Sequence, residues 1–168
     1  IILYASNIDE QDSYIKAAES KGYKVLLLDS PIVPHLIQKL ESKKENISFA
    51  RVDSNSIDNL IKKEDNIISK LNDKEKDKLK NYIEAVIPKE KYTIQLEALD
   101  SKELPFIITQ PEFMRRMKDM QQSGGNNMFG SMPEIHNVII NVNNVLVNTI
   151  FNSKSKAKRE RLIKQSLD

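Results

Sequence analysis

Histidine occurs only at His35 and His136, and neither has a second histidine at the spacing a metal site requires. Cysteine is absent, which removes thiol nucleophiles, disulfides and cysteine-ligated zinc. No Ser-His-Asp ordering stands out, and the carboxylates are scattered over polar helix faces. A dinucleotide site needs a glycine-rich turn after the first strand, so that backbone can approach the pyrophosphate. The turn here is Ser6-Asn-Ile-Asp9, without glycine, and no Walker loop follows anywhere. Asp29 ends the second strand, where an acid could hold a ribose, but a lone acid says little. No catalytic residue and no metal ligand is therefore assigned.

The chemistry that remains is contact. All five methionines lie between Met114 and Met132, together with three of the four glycines, Gly124, Gly125 and Gly130. Methionine is unbranched and polarisable, and a cluster of it makes an adaptable apolar surface suited to binding without strict specificity. Thr109 and Glu112 have capping-box spacing, which predicts a helix starting there with Pro111 in its first turn. Phe113, Met117 and Met120 share one face of it, with Met114 beside them, while Arg115, Arg116 and Lys118 point elsewhere. Such a stripe more often belongs to an ordinary core-facing helix than to an exposed binding helix. Met128, Phe129 and Met132 favour binding, because they sit among Gly, Asn and Ser and need a partner to be buried. Lys154 to Lys164 adds six basic residues against Glu160. This is a solvated helix face or a phosphate contact, and it lacks the interleaved aromatics that base stacking would use.

The frame is a chain of 168 residues, 39% hydrophobic and 30% charged, with a net charge of +2. That composition suits a globular chain of one or two domains and provides no global field to recruit nucleic acid or membrane. No apolar run is long enough to span a bilayer. Ile1 falls inside a strand pattern and Asp168 inside a helix pattern, so the sequence reads as a piece of a longer one.

The elements that must position these residues change style along the chain. Ile1 to Ala5, Lys24 to Leu28 and Ser48 to Val52 read as three strands, the second of them buried. The first intervening helix is capped by Asn7 and Glu10 and ends at Gly22. The next is capped by Ser30, with Pro31 at its first position. This βαβαβ pattern implies a small parallel sheet with right-handed crossovers. Ser54 to Leu71 reads as helical, with Ile57, Leu60, Ile61, Ile68 and Leu71 on one face. Asn72 and Glu75 cap a further helix carrying Leu79, Tyr82, Ile83 and Val86, which Pro88 ends. Beyond it, Tyr92-Thr-Ile-Gln-Leu-Glu-Ala98 alternates strictly, as a half-exposed antiparallel strand does. Pro105 to Thr109 and Asn137 to Val142 are two more strands. Leu146, Val147, Ile150 and Phe151 form a helical stripe, and a last helix begins at Lys156. The expected fold is α/β followed by α+β: the parallel unit, then a mixed domain with a three-stranded antiparallel sheet and helices. The divisions fall at 1–62, a helical connector at 63–72, and 73–168.

Three stretches resemble one family in the same order: Leu3-Tyr-Ala-Ser-Asn7 with Gln11 to Ala18, Tyr23 to Pro31 with Arg51-Val-Asp-Ser54, and Ile108-Thr-Gln-Pro-Glu-Phe-Met-Arg-Arg-Met117. Together they resemble the ninety-kilodalton heat-shock chaperones, in their bacterial form. The resemblance implies that residues 1–62 end a middle domain and that 73–168 form a truncated C-terminal dimerisation and client-contact domain. It departs at Asn143-Asn144-Val145, where relatives often carry histidine followed by an apolar residue or proline. The family binds and hydrolyses ATP, with magnesium, in an N-terminal domain outside this chain, so the fragment itself is expected to be no enzyme and to hold no cofactor. It also implies client contact through Phe113, Met114, Met117, Met120, Met128, Phe129 and Met132. The implied homodimer interface would use Leu146, Val147, Ile150, Phe151, Leu162, Ile163 and Leu167. Implied partners are partly unfolded client proteins, a second copy of the intact chain and an Hsp70-type chaperone, with no nucleic acid or membrane, in the cytoplasm. The alternatives are a nucleotide-binding α/β enzyme domain and a basic nucleic-acid-binding module working through residues 154–164.

Overall fold

In a computed structural model of the chain, residues 1–61, 67–112, 114–117 and 135–167 are described. They group into two units, one of residues 1–61 with 109–112 and 114–117, the other of 67–108 with 135–167.

The first unit is built on β1 (Ile2–Ala5), β2 (Leu26–Leu27) and β3 (Phe49–Arg51). The three strands are parallel in the order β2-β1-β3, with Tyr4 opposite both Leu26 and Arg51. Because side chains alternate along a strand, β1 serves two cores. Leu3 and Ala5 join Ala18, Val52 and Ile57 in one apolar cluster, while Tyr4 joins Val33, Ile37 and Phe49 in another. Helix α1 (Ile8–Ser20) starts where the Asn7 side chain accepts from the amides of Asp9 and Glu10. It stops in a Schellman turn, Tyr23 N–H to Ala18 O and Gly22 N–H to Glu19 O, with Gly22 at φ 82° as only glycine tolerates without strain.

Three expectations for this half need correction. The stretch from Lys24 to Leu28 is an exposed edge of two paired residues, not a buried strand, with Leu26 and Leu27 about half exposed at 48% and 49%. Its apolar run resembles that of a central strand, and sequence alone does not say which strand stands at the edge. Helix α2 (Val33–Lys43) begins later than Ser30, because Ser30, Pro31 and Ile32 make a turn closed by Val33 N–H on Ser30 O. The helical reading from Ser54 to Leu71 reduces to the single turn of α3 (Ile57–Leu60) among the described residues. Residues 67–71 are not helical and Ile68 is 86% exposed.

In the second unit, β4 (Tyr92–Glu97), β5 (Phe106–Thr109) and β6 (His136–Asn141) form a sheet in the order β4-β6-β5. The antiparallel expectation fails at one pair: β4 runs parallel to β6, from Tyr92 opposite His136 to Glu97 opposite Asn141, so the sheet is mixed. The alternation along β4 is present and reports its wet and dry faces. It carries no information on the direction of a neighbour reached after a long connection. Helices α4 (Asp73–Glu84), α5 (Val145–Asn152) and α6 (Lys156–Gln165) complete one core with Leu71, Leu79, Ile83, Val138, Ile140, Val147, Ile150 and Ile163. The Asn72–Glu75 capping box forms as expected. Among the described residues, no helix is long and apolar enough to cross a membrane.

Candidate functional site

The methionine segment starts where β5 stops. Thr109 does not cap a helix. It ends the strand, 1% exposed, with its hydroxyl unpartnered among the described residues. Residues 112 and 114–117 are helical, and Arg115 N–H closes the first turn on Pro111 O at 3.1 Å. Glu112 turns away from the helix start, because its carboxylate accepts from both following arginines.

Those arginines hold the segment against the first unit. The Arg116 guanidinium reaches Glu41 of α2 with two nitrogens, at 2.8 and 3.2 Å, and Phe49 O at 2.9 Å. Glu41 also accepts from Phe49 N–H at 2.8 Å, so one carboxylate joins α2, β3 and the methionine segment. Arg115 is buried, at 2% exposure, donates to the Tyr4 hydroxyl and lies 5.5 Å from that ring. A buried charge is tolerated only when paired, and Glu112 supplies the counter-charge. One step earlier, Gln110 N–H donates to Asp53 O at 3.3 Å. The Arg116 hydrogen bond holds the Glu41 carboxyl below the ordinary carboxylate range, and burial raises the Tyr4 phenol above its own.

Of the residues expected to meet clients, Met114 and Met117 are half-buried. Phe113, Met120, Met128, Phe129 and Met132 lie outside the described residues. Of those expected at a dimer interface, Val147, Ile150 and Ile163 are fully buried in the core of their own unit. Leu146, Phe151, Leu162 and Leu167 pack against that core, half-buried. The basic run around α6 is mostly exposed, but Arg159 is committed, with its guanidinium 4.1 Å from the Tyr82 ring and a 2.6 Å bond to Ser153 O. His35 is exposed on α2, and the His136 ring lies beside Tyr92 at 6.1 Å.

The carboxyl end of the first sheet, where an α/β enzyme would bind a nucleotide, has its donors in use. Gln11 Oε1 accepts from Ser6 N–H at 2.8 Å and Asn7 N–H at 3.0 Å, the amides that would otherwise face a phosphate. Arg51 is tied to Asp53 by two bonds, at 2.6 and 2.8 Å, and to Ser6 Oγ at 3.2 Å. These residues do not fit a phosphate cradle.

Sequence reasoning missed Tyr4, Glu41 and a group of asparagines in the second unit. Asn141 and Asn143 are buried and join residues 68–70, 99–100 and the β6–α5 turn through side-chain amides. Three asparagines inside an apolar run were a visible signal, since buried amides persist only when hydrogen-bonded.

The chain is 37% identical over 161 residues to the chaperone protein HtpG of Porphyromonas gingivalis, 38% identical over 161 residues to that of Bacteroides thetaiotaomicron, and 39% identical over 160 residues to that of Bacteroides fragilis. The matches cover 93–94% of this chain. The chain belongs to the HtpG chaperone family. It spans about a quarter, 24%, of the length of the HtpG relatives it matches. No family model matches it. The HtpG assignment thus rests on similarity along nearly the whole chain, including the methionine segment with its arginine contacts.

Proposed function

We propose that this chain is the C-terminal part of an HtpG-type chaperone and that its methionine segment contacts partly unfolded client proteins. The observation that carries the reading is the uneven burial of residues 114–117. Arg115 is fully buried and pinned, while Met114 and Met117 on the same short helical stretch keep part of their surface in solvent. An apolar, polarisable face held in place by its polar neighbours suits transient contact with many sequences. The proposed client-contact set also includes Phe113, Met120, Met128, Phe129 and Met132, which lie outside the described residues. Homodimerisation through Leu146, Phe151, Leu162 and Leu167 belongs to the same proposal, as do ATP and magnesium chemistry in the rest of the longer protein, an Hsp70-type partner and a cytoplasmic location.

The test is a Met114→Ser/Met117→Ser variant assayed against reduced, carboxymethylated lactalbumin, a permanently unfolded polypeptide. Binding should weaken by roughly tenfold, since each half-buried methionine contributes about 0.5–1 kcal/mol of contact. The unfolding midpoint should stay close to wild type. Collapse of the fold with no separate effect on binding would show that the methionines serve the core instead.

A further inference from the structure

The methionine segment is joined in sequence to β5, yet its described residues group with the α/β unit of residues 1–61. The contacts that explain that placement are polar and reach β1, α2, β3 and Asp53. Gln110 N–H meets Asp53 O, Arg115 meets Tyr4 and Glu112, and Arg116 meets Glu112, Glu41 and Phe49 O. Two of the receiving groups, Tyr4 and Phe49, belong to the core against α2, and Glu41 is on α2 itself.

We infer that Arg115 and Arg116 are positioning residues for client contact, clasping residues 110–112 and 114–117 to Tyr4, Glu41 and Phe49 so that Met114 and Met117 are presented in one preformed arrangement. The inference rests on the proposed client-contact role of Met114 and Met117 and adds the device that sets their geometry. Arginine suits the task because its planar fork can serve two carboxylates and a carbonyl at once, which a lysine ammonium cannot do in the same geometry. Preformed binding groups lose less freedom on association, so the clasp acts through affinity without touching the client.

The test uses the full 168-residue chain. Arg116→Ala and Arg116→Lys remove the fork at a partly exposed position, and Tyr4→Phe removes only the hydroxyl that Arg115 meets. Amide hydrogen exchange is followed at Gln110 and Arg115, with Leu3 and Ala5 as controls for the α/β core. Binding to reduced, carboxymethylated lactalbumin is measured in parallel. Arg116→Ala should speed exchange at Gln110 and Arg115 by at least about tenfold while Leu3 and Ala5 stay protected, and should weaken binding roughly three- to tenfold. Arg116→Lys should fall between Arg116→Ala and wild type in both measurements, and Tyr4→Phe should move both in the same direction as Arg116→Ala. Unchanged exchange at Gln110 and Arg115 overturns the clasp and leaves the client-contact reading standing. Faster exchange with unchanged binding overturns the positioning role. Failure of the wild-type chain to bind the unfolded polypeptide overturns the client-contact reading, and the inference with it.

Discussion

Asn143 sits where three stretches of the second unit meet. Its amide nitrogen donates to Ile68 O at 3.1 Å and Leu99 O at 3.2 Å, and its oxygen accepts from Lys70 N–H at 2.9 Å. Its own N–H donates to Asn141 Oδ1, which also receives Leu99 N–H. Replacing Asn143 by Ala orphans three backbone groups and should lower stability by about 2 kcal/mol. Asn143→Asp should be worse, since a carboxylate would face two carbonyl oxygens that need a donor. Urea unfolding midpoints compare the two, and equal stability of the Asp variant and wild type would contradict this account. Glu41 leads to a second residue-scale expectation. Its folded pKa lies below the ordinary 4.5, with the Arg116 hydrogen bond as the largest cause. The stability it contributes is therefore present in full above that ordinary value and is lost as pH falls through the lowered one. Wild type should exceed Glu41→Gln in stability at neutral pH, and the gap should close on acidification. A gap that persisted at low pH would show that the carboxylate charge plays no part.

Among the elements, helix starts follow the local cap signal at Asn7 and Asn72 but not at Ser30 or Thr109. In α4 the Asn72 side chain accepts from Glu75 N–H at 3.0 Å while Glu75 returns a 2.9 Å bond from Asn72 N–H. Asn72→Ala should lower stability by about 1 kcal/mol, measured by thermal unfolding, and Asn72→Ser should recover most of the loss. Because these signals act within four residues, Asn7, Gly22 and Asn72 were legible in the sequence and mark helix ends in the structure. Strands are different. The alternation in Tyr92 to Glu97 reveals a wet face but not that its neighbour β6 runs parallel. The leucines of β2 resemble a core strand, although that strand is an edge. Partner direction and edge position depend on residues far away in sequence, and no local pattern encodes them.

For the whole molecule, the parallel βαβαβ pattern and the mixed second half were readable, because apolar periodicity and cap residues repeat along the chain. The methionine segment was readable as a compositional anomaly. What holds it was not, since helical periodicity applied to the apolar residues says only that Arg115 and Arg116 point elsewhere. Their partners Tyr4 and Glu41 lie 111 and 75 residues away. Periodicity assigns a face, but only the fold shows that Arg115, off the apolar face, is buried.

The distance between Tyr4 and Arg115 has a consequence for biosynthesis. A ribosome adding roughly 5–20 residues per second needs about 5–20 s to travel the 111 residues that separate them. Once α3 has been added, the nascent α/β unit has its strands and helices but still lacks the two arginines that finish its α2 side. Tyr4, Glu41 and Phe49 O must stay satisfied by water until the late segment arrives. The first unit to be translated is therefore completed only after residues 67–108 of the second have been added.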